Sequence, residues 1–495
     1  MKLGALGGKA GIDLAGAADV VVTGFAIDHR KVAPGTVFGA FRGERFNAED
    51  FIPAAVEAGA VAVVTRPGVA VQGAVAILDP EPRRAFARLA AQFFTPVPEC
   101  IVAVTGTNGK TSTVEMTRQI WHMCGERAAS IGTLGVTTPD ESVSTGLTTP
   151  DIVTFLSNMS GLAREGVTHV AYEASSHGLS QYRNEGVPVS ACAFTNFSRD
   201  HLDYHGDMES YFAAKMRLFD EVVEPGAAAI IWSGNDNSEW SRRAIERAQT
   251  RALRVFTVGE QGDAIRLLTR TPTQLGQTLE IEHDGQARAI KLPLIGAYQA
   301  ANALVAAGLA IATGTAAGAV FDAVGRLQPV RGRLERAVIT ASGAPVYVDY
   351  AHTPDALEAA IAALRPHVDG AKGGRLITVF GAGGDRDQGK RAPMGEAAAV
   401  HSDVVIVTDD NPRGEDPAAI RAQVLAGAGE KARDIGDRRT AIAEAIGEAG
   451  PHDIILIAGK GHEQGQIIGS GDNMRVLPFD DVAVARECAA AKGAA

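Results

Sequence analysis

The chain has 495 residues, a length that accommodates about three domains of ordinary size. Its 47 lysines and arginines are outnumbered by 58 aspartates and glutamates, and the formal net charge of −11 argues against a bulk nucleic-acid binder. Hydrophobic residues at 46% and charged residues at 21% exclude a largely disordered chain. The four cysteines form neither a disulfide framework nor a CxxC metal motif, so we expect a cytoplasmic location.

Residues 1–98 predict a small N-terminal α/β domain. A helix-like segment at 51–58 leads through Gly59 into the apolar run 61–64, which has the β-branched content of a strand. Two prolines in the stretch 94–98 then indicate a linker to the next domain.

Residues 99–330 predict a central α/β domain. Runs of β-branched residues alternate with helical stretches, which indicates a parallel, doubly wound sheet; the strand candidates are 101–104, 169–172, 191–194 and 228–232. The polar stretch 258–292 predicts added hairpins. The uncharged stretch 292–321 is long enough to cross a bilayer, but its polar residues predict a buried helix that ends near Gly314.

Residues 331–495 predict a C-terminal domain of Rossmann-like α/β type. Strand-like runs alternate here with Ala-rich helices, at 346–348, 376–380, 404–407 and 454–457. The Ala-rich end after Cys488 is expected to fray. The expected fold class is therefore α/β, with three domains that each contain a sheet.

A glycine-rich loop follows the first strand of the central domain and precedes a helical run; it reads Thr105-Gly106-Thr107-Asn108-Gly109-Lys110-Thr111-Ser112. Glycines let backbone N–H groups converge on a phosphate, Lys110 is suited to the β- and γ-phosphates, and the Thr111 hydroxyl is suited to Mg²⁺. Val104 stands where the phosphate-loop formula has its first glycine, and a plain turn before a helix is the alternative. The strand–loop–helix context favours nucleotide binding.

Two other nucleotide-binding patterns fail. The segment 381–386 begins like a dinucleotide fingerprint, but Arg386 stands where the last glycine belongs. A phosphate-loop motor or kinase should have a strand that ends in a Walker B Asp, and no clear one follows the loop. Glu173 comes after the predicted strand 169–172 instead.

Seven further motifs follow in order, and together with the loop they resemble those of the Mur ligases. They are Thr148-Thr149-Pro150-Asp151, Glu173-Ala174-Ser175-Ser176-His177-Gly178-Leu179, Thr195-Asn196-Phe197-Ser198-Arg199-Asp200-His201-Leu202-Asp203, Asp349-Tyr350-Ala351-His352-Thr353-Pro354-Asp355, Gly383-Gly384-Asp385-Arg386-Asp387, Asp410-Asn411-Pro412-Arg413 and Gly459-Lys460-Gly461-His462-Glu463. Mur ligases are ATP-dependent amide-forming enzymes that build the peptide stem of bacterial cell-wall precursors. The motifs are most similar to those of the ligases that add meso-diaminopimelate to UDP-N-acetylmuramoyl-L-alanyl-D-glutamate.

The resemblance implies that ATP phosphorylates a carboxylate and that an amine then displaces phosphate from the acyl phosphate. Such a site must neutralise many anionic oxygens. The resemblance makes Lys110, Glu173, His201 and Lys215 the catalytic set, and it implies Mg²⁺ held by Thr111, Glu173, His201 and a carbamoylated Lys215. Taken alone, Glu173 could be a surface carboxylate, His201 a structural histidine and Lys215 an ordinary helix lysine.

The resemblance also assigns two substrate sets. The ATP set is Gly106, Thr107, Asn108, Gly109, Lys110, Thr111, Ser112, Asn302, Arg333 and Asp349. The set for the UDP-muramoyl-dipeptide is Ile27, His29, Thr148, Thr149, Ser175, Gln181 and Arg183, which makes the N-terminal segment a UDP-binding domain. Because Arg333 and Asp349 belong to the third domain, its closure is expected to complete the ATP site. The sequence departs from the family at His29, usually Ser, at Asn47-Ala48, usually Asp-Gly, and at Gln299, usually Asn.

The amino-acid set that the resemblance implies is Arg386, Asp410, Asn411, Pro412, Arg413, Gly459 and Glu463. Meso-diaminopimelate carries a carboxylate and an ammonium at its far end, whereas lysine carries only the ammonium. Arg413 can pair with that carboxylate in bidentate geometry, and Glu463 can accept the ammonium. The alternative for Arg413 is an exposed loop arginine.

The leading hypothesis is a monomeric amide ligase whose partners are ATP, the UDP-muramoyl-dipeptide and meso-diaminopimelate, with no nucleic-acid or membrane partner. A lysine-adding or folate-type ligase would lack the combination of Arg413 and Glu463. A regulatory protein that has kept the ligase fold should have lost catalytic positions such as Lys110, which is present.

Overall fold

The computed structural model describes residues 1–43, 46–143, 148–235, 238–273 and 275–493. The chain forms two compact units. The first consists of Met1–Leu267 and Asn302–Ala323, and the second consists of Leu268–Ala301 and the chain from Val324 onward. The three-domain borders at 98/99 and 330/331 stay predictions.

The N-terminal part of the first unit is a parallel four-stranded sheet with three helices. The strands follow one another across the sheet in chain order: β1 (Gly24–Ala26), β2 (Thr36–Gly39), β3 (Ala60–Thr65) and β4 (Val75–Leu78). The helices are α1 (Leu3–Ala10), α2 (Ile52–Glu57) and α3 (Pro82–Phe93). Both faces of β2 are buried, since Val37 packs in one core with Phe86 and Phe38 packs in another with Ile52. The predicted helix at 51–58 and strand at 61–64 are confirmed as α2 and β3.

The larger sheet of the first unit is doubly wound, as predicted. Its strands are β5 (Cys100–Thr105), β6 (Ala128–Gly132), β7 (Gly135–Thr137), β8 (Ser142–Val143), β9 (His169–Glu173), β10 (Val189–Phe194), β11 (Val223–Trp232), β12 (Arg254–Gly259) and β13 (Ile265–Thr273), which continues into the second unit. The order across the first unit is β13-β12-β11-β10-β5-β9-β6-β7-β8, with antiparallel pairing only at β7 and β8. The central strand β5 lies between β10 and β9, so the carboxyl ends of these three strands meet at one edge.

Helices cover this sheet and connect its strands. They are α4 (Lys110–Met123), α5 (Ile152–Arg164), α6 (Ser176–Ser180), α7 (Leu202–His205), α8 (Met208–Arg217), α9 (Glu239–Thr250), α10 (Ala297–Ala312) and α11 (Ala317–Val324). The buried helix predicted for the uncharged stretch is α10. No helix in the described part of the chain is both long enough and apolar enough to cross a membrane.

The second unit contains a six-stranded sheet and two hairpins. Its elements are β14 (Gly276–His283), β15 (Gln286–Leu292), β16 (Glu335–Ile339), β17 (Pro345–Asp349), α12 (Pro354–Leu364), β18 (Leu376–Phe380), α13 (Arg391–His401), β19 (Val404–Val407), α14 (Pro417–Ala428), β20 (Ala432–Asp434), α15 (Arg438–Glu448), β21 (Ile454–Ala458), β22 (Gly465–Ile468), β23 (Arg475–Pro478) and α16 (Asp481–Gly493). The sheet order is β16-β17-β21-β18-β19-β20, and only β16 is antiparallel to its neighbour. The antiparallel pairs β14–β15 and β22–β23 are the hairpins.

Two apolar cores lie on this sheet. One includes Leu357 of α12 and Met394 of α13, and the other includes Ile442 of α15 and Val484 of α16. The strand side chains alternate between these cores, which is the arrangement of a doubly wound sheet with helices on both faces.

The prediction that the chain frays after Cys488 is wrong. Helix α16 continues to Gly493 and packs against α15 and β16. Its Val482, Val484, Ala485 and Ala489 are buried in the core shared with α15. Burial of these small apolar side chains stabilises the helix end, which local composition alone does not reveal.

Candidate active site

The phosphate loop occupies the short connection between β5 and α4, at the centre of the first-unit sheet. Lys110 Nζ donates to the carbonyl oxygens of Gly106 at 3.0 Å and Thr107 at 2.7 Å. The backbone N–H of Asn108 donates to Asn196 Oδ1 at 2.9 Å, and Asn196 follows the neighbouring strand β10. The loop is therefore held in place by the adjacent strand end as well as by its own lysine.

Asn302, on α10, lies against the same loop. Gly109 has a φ of 85°, and a Cβ built at this position would lie 2.4 Å from Asn302 Oδ1. Thr113 Oγ1 also donates to Asn302 Oδ1, at 3.5 Å. The first unit thus brings Asn302 to the loop, and only glycine fits at position 109 beside it.

Lys215 projects from α8 toward the phosphate loop and is 1% exposed. Its Nζ donates to the carbonyl oxygen of Gly106 at 2.7 Å and lies 4.4 Å from the centre of the Tyr211 ring. Burial, reinforced by the positive charge of Lys110, holds the pKa of Lys215 well below its ordinary value, while Asp200 opposes the shift. Burial therefore disfavours the charged ammonium form of Lys215 relative to that of an exposed lysine.

Glu173 is the last residue of β9 and is 2% exposed. Its carboxylate accepts from the backbone N–H of Thr133 at 2.7 Å and from the Thr133 hydroxyl at 3.3 Å. These two bonds orient a buried acidic group beside the central strand β5.

His201 caps the N-terminus of α7 with a φ of 53°, and its Nε2 lies 3.4 Å from Asp200 Oδ2. Thr111 is buried in the first turn of α4. Across the described residues, the His, Cys, Asp and Glu side chains form no group of three that could hold a metal ion.

Five residues of the predicted UDP-muramoyl-dipeptide set form one hydrogen-bonded network. Thr149 Oγ1 donates to Ser175 Oγ at 2.9 Å, and Arg183 Nη1 donates to the Thr149 carbonyl at 3.0 Å. Arg183 Nη2 also donates to Gln181 Oε1 at 2.6 Å. Thr148 Oγ1 lies 3.0 Å from Thr133 Oγ1, which bonds the Glu173 carboxylate, and Thr149 Oγ1 lies 3.0 Å from the Glu173 carbonyl oxygen, so Glu173 connects Thr148 to the other four residues.

Ile27 and His29 line a separate cavity of about 510 Å³. Its walls also include Asp151, Val153 and Thr154 from the start of α5. The His29 ring stacks on Phe51, with centroids 4.3 Å apart and planes 14° apart. The histidine that replaces the usual serine therefore extends an aromatic surface at this cavity.

In the second unit, Asp349 ends β17 and organises the loop that carries Arg333. Its carboxylate accepts from the backbone N–H groups of Leu334 at 2.7 Å and Ala351 at 2.8 Å. Burial raises the pKa of Asp349, whereas the positive charge of Arg333 and these two bonds oppose the rise. Gln299 Nε2 donates to the Arg333 carbonyl at 2.9 Å and fixes the same loop.

The predicted amino-acid set lies on loops after three adjacent strands of the second unit. Arg386 follows β18, the segment Asp410–Arg413 follows β19 and Gly459 follows β21. Arg413 has a φ of 51°, and its Nη1 donates to the Gly384 carbonyl at 2.9 Å. Gly459 has a φ of 114°, and a Cβ there would lie 2.6 Å from Asp410 Oδ2. The glycine therefore lets the Asp410 carboxylate approach the backbone.

Glu463 and Asn411 are joined by a buried lysine. Asn411 Nδ2 donates to Glu463 Oε2 at 2.8 Å. Lys460 Nζ donates to Asn411 Oδ1 at 2.8 Å and to Glu463 Oε2 at 3.3 Å. Residues that are far apart in sequence thus form one polar cluster.

The Tyr350 hydroxyl lies within electrostatic reach of both predicted sets of the second unit. Burial raises the pKa of Tyr350, with Glu463 and Asp410 acting in the same direction and with Arg333 and Arg413 opposing them. Charged groups of the predicted amino-acid set and the predicted ATP residue Arg333 therefore both influence the Tyr350 hydroxyl.

Comparison with known proteins identifies the family. Residues 104–310 match the Mur ligase middle domain, and residues 332–461 match the Mur ligase glutamate ligase domain. A Zymomonas mobilis protein named UDP-N-acetylmuramoyl-L-alanyl-D-glutamate--2,6-diaminopimelate ligase is 58% identical over 469 residues, which are 95% of each chain. This chain belongs to the Mur ligase family. It is an ATP-dependent amide-forming ligase.

Other Mur ligases support the assignment. A Bradyrhizobium diazoefficiens protein of the same name is 52% identical over 482 residues, which are 96% of each chain. A solved structure with this name matches with a TM-score of 0.72 and 32% identity, and the match covers 100% of this chain and 99% of the other. The expected α/β fold with a sheet in each part of the chain is thereby confirmed.

Sequence reasoning missed three residues that support the predicted site of this Mur ligase: Thr133, Asn196 and Lys460. Asn196 and Lys460 stand inside two of the quoted motifs, so the motifs held a signal for them. Thr133 lies outside every motif and 40 residues from Glu173. Only the fold brings its hydroxyl between Glu173 and Thr148.

Proposed function

We propose that this Mur ligase joins meso-diaminopimelate to the free carboxylate of UDP-N-acetylmuramoyl-L-alanyl-D-glutamate. The observation that carries the proposal is the polar cluster of Asp410, Asn411 and Glu463 around Lys460, with Arg413 on the same loop as Asp410. The guanidinium suits the far carboxylate of the diamino acid, and the two acidic groups suit its far ammonium. The names of the relatives that are 58% and 52% identical agree with this substrate.

We infer that the phosphate loop binds ATP and that an acyl phosphate is the intermediate. The N-terminus of α4 and Lys110 present positive charge where the phosphates of ATP would lie. Asn302 supports the loop at Gly109, so its replacement should disturb ATP binding first. The neutral amine of the diamino acid then attacks the acyl carbon to form the C–N bond; the C–O bond to phosphate breaks with its electron pair on the phosphate, and the nitrogen loses a proton to phosphate or solvent.

Magnesium fits the chemistry of the groups beside the loop. The Thr111 hydroxyl and the buried Glu173 carboxylate are oxygen ligands, which Mg²⁺ prefers, and His201 is the further predicted ligand. Magnesium would supply positive charge that neutralises the phosphate oxygens. Thr111, Glu173 and His201 would hold the ion, and Thr133 keeps the Glu173 carboxylate oriented.

We further infer that Lys215 is carbamoylated. A neutral amine attacks CO₂, and the lowered pKa of the buried Lys215 makes that form available. Carbamoylation would replace a buried cation with an oxygen-bearing anion of the kind that Mg²⁺ prefers. Native mass spectrometry of the intact protein in bicarbonate buffer should detect an added mass of about 44 Da, the mass of one CO₂, and the Lys215→Met variant should lack it.

The UDP moiety is assigned to the cavity lined by Ile27 and His29. Its aromatic surface suits a planar base, and the network around Arg183 suits the anionic part of the same substrate. A monomer is the proposed active form.

One experiment tests the proposed function. Purified protein receives ATP, Mg²⁺ and UDP-N-acetylmuramoyl-L-alanyl-D-glutamate, and phosphate release is compared with meso-diaminopimelate, lysine and glutamate as the amine. Release with meso-diaminopimelate is the expected result. Release with lysine alone would contradict the proposed specificity, and no release with any amine would favour a regulatory role for the ligase fold.

A further inference from the structure

Lys460 is a fully buried cation within the predicted amino-acid loops, and none of the substrate sets includes it. It is 0% exposed and follows Gly459 directly after β21. Its Nζ lies 2.8 Å from Asn411 Oδ1, 3.3 Å from Glu463 Oε2 and 3.7 Å from Asp410 Oδ1. One ammonium thus contacts three residues of the predicted set at once.

These contacts determine the orientation of the Asn411 amide. Asn411 Oδ1 accepts from Lys460 Nζ and also from the backbone N–H of Ile467 at 2.9 Å. Two donors require an oxygen at this position, so Nδ2 must face the Glu463 carboxylate, to which it donates. Lys460 therefore fixes the amide, and the amide in turn fixes Glu463.

The same contacts leave one face of Glu463 open. Its Oε2 accepts from both Lys460 and Asn411. No donor among the described residues lies within hydrogen-bond distance of Oε1, and the side chain is 33% exposed. Glu463 is thus held by one oxygen and presents the other for a further donor.

The charges of the cluster match a zwitterion. Within the cluster around Lys460, Asp410 and Glu463 bring two negative charges and Lys460 brings one positive charge, so one negative charge remains, and Arg413 carries a positive charge on the same loop as Asp410. The far end of meso-diaminopimelate carries one ammonium and one carboxylate, which are the complements of these two charges. Without Lys460, the excess negative charge would favour a ligand end that is only cationic.

Resting on the proposed function, we propose that Lys460 is a positioning residue that sets amino-acid specificity. It aims Glu463 through Asn411, and it reduces the negative charge of the acidic pair so that the far carboxylate of the diamino acid is accepted. Stability alone does not account for it, since a buried ion pair is often no more stabilising than an apolar side chain of similar size.

The test uses the full chain with Lys460→Met, which removes charge and donors, and Lys460→Gln, which removes the charge but keeps one donor. Lys372→Met is the matched control, because Lys372 pairs with Asp369 on the exposed surface of the same unit. The KM for meso-diaminopimelate should rise at least about tenfold, as for the loss of a hydrogen bond to a charged group, while the KM for ATP stays within about twofold. The preference for meso-diaminopimelate over lysine should fall, and the control should match the unaltered protein.

Two results would overturn the role of Lys460. One is a parallel rise of both KM values, which indicates a general structural defect, and the other is an unchanged preference between the two amines. If Lys460→Met does not fold, Lys460→Gln decides the question, since its amide can still donate to Asn411. The proposed function fails separately, when the unaltered protein itself does not use meso-diaminopimelate.

Discussion

The phosphate-loop region of the first unit and the amino-acid loops of the second unit use their cations differently. In the first, Lys110 and Lys215 donate to backbone carbonyl oxygens, and Arg183 donates to a carbonyl and to the Gln181 amide. In the second, Lys460 and Arg391 donate to the carboxylates of Glu463 and Glu415, whereas Arg413 donates to a backbone carbonyl, that of Gly384.

The difference corresponds to the proposed ligands. ATP and a UDP-linked substrate bring many negative charges, and cations that contact neutral carbonyl groups keep their charge available for them. An amino acid is zwitterionic at each end, so its site needs charges of both signs in balance. A site of that kind has to fix its own carboxylates and cations relative to one another before substrate arrives.

The largest expected effect concerns the internal ion pairs of the second unit. Arg438 and Asp481 are both 0% exposed and form two hydrogen bonds, at 2.8 Å and 2.7 Å. Replacing Arg438 with Gln leaves a buried carboxylate without its partner and should lower the free energy of unfolding by about 3–5 kcal/mol. Urea denaturation followed by circular dichroism measures the loss.

The adjacent Arg439 provides a control for that substitution, since its pair with Glu487 is exposed. Arg439→Gln should change the free energy of unfolding by no more than about 1 kcal/mol. Equal losses in the two variants would mean that the second unit does not depend on buried charge pairing.

The Lys215→Met substitution tests the phosphate-loop region of the first unit. Removal of this group should lower kcat by about 10²–10³-fold, as for loss of a group that stabilises developing charge, with little change in the unfolding midpoint. Lys291→Met, at an exposed position on β15, is the control. A Lys215→Met variant with normal kcat in the phosphate-release assay would remove Lys215 from the catalytic set.

A further prediction for the amino-acid loops of the second unit concerns His462 and the pH dependence of stability. Burial, together with the positive charges of Arg333 and Arg331, lowers the pKa of His462 from 6.5 to about 4. Between pH 4 and pH 6.5 the unfolded chain binds a proton at His462 that the folded chain excludes. The contribution of His462 to the free energy of unfolding is therefore complete above pH 6.5 and is lost as the pH falls toward 4. The expected loss is about 2–3 kcal/mol, after allowance for partial solvent exposure.

Urea denaturation at pH 7 and pH 4.5 measures the slope of the free energy of unfolding against pH. His462→Gln should flatten it, and the control His401→Gln, at a half-exposed position beside Glu358, should leave it unchanged. The same slope in the His462 variant and the unaltered protein would assign the pH dependence to other groups.

The smallest expected effect is that of Arg413→Lys. Lysine keeps the charge but cannot pair in bidentate geometry, so the KM for meso-diaminopimelate should rise about tenfold while the KM for ATP is nearly unchanged. The phosphate-release assay measures both, with Arg433→Lys at an exposed pair with Glu448 as the control. A comparable rise in the KM for ATP would contradict the assignment of Arg413 to the amino acid.

Local patterns in the sequence were sufficient for several parts of the molecule. The strand–loop–helix around Lys110 and the buried helix α10 were predictable because each depends on neighbouring residues and on the period of apolar side chains. The fraying predicted after Cys488 was wrong because α16 is stabilised by packing on α15, whose residues lie more than thirty positions earlier in the chain.

By itself the sequence determined the order of motifs, and with it the family and the class of reaction. Only the tertiary structure decided which groups each charge meets: Lys460 and Asn411 are 49 residues apart, and Thr133 and Glu173 are 40 apart. Hydrogen bonds and short-range Coulomb interactions depend on separations of a few ångströms. Spacing along the chain does not encode such distances, and the meeting of strand ends at one sheet edge produces them.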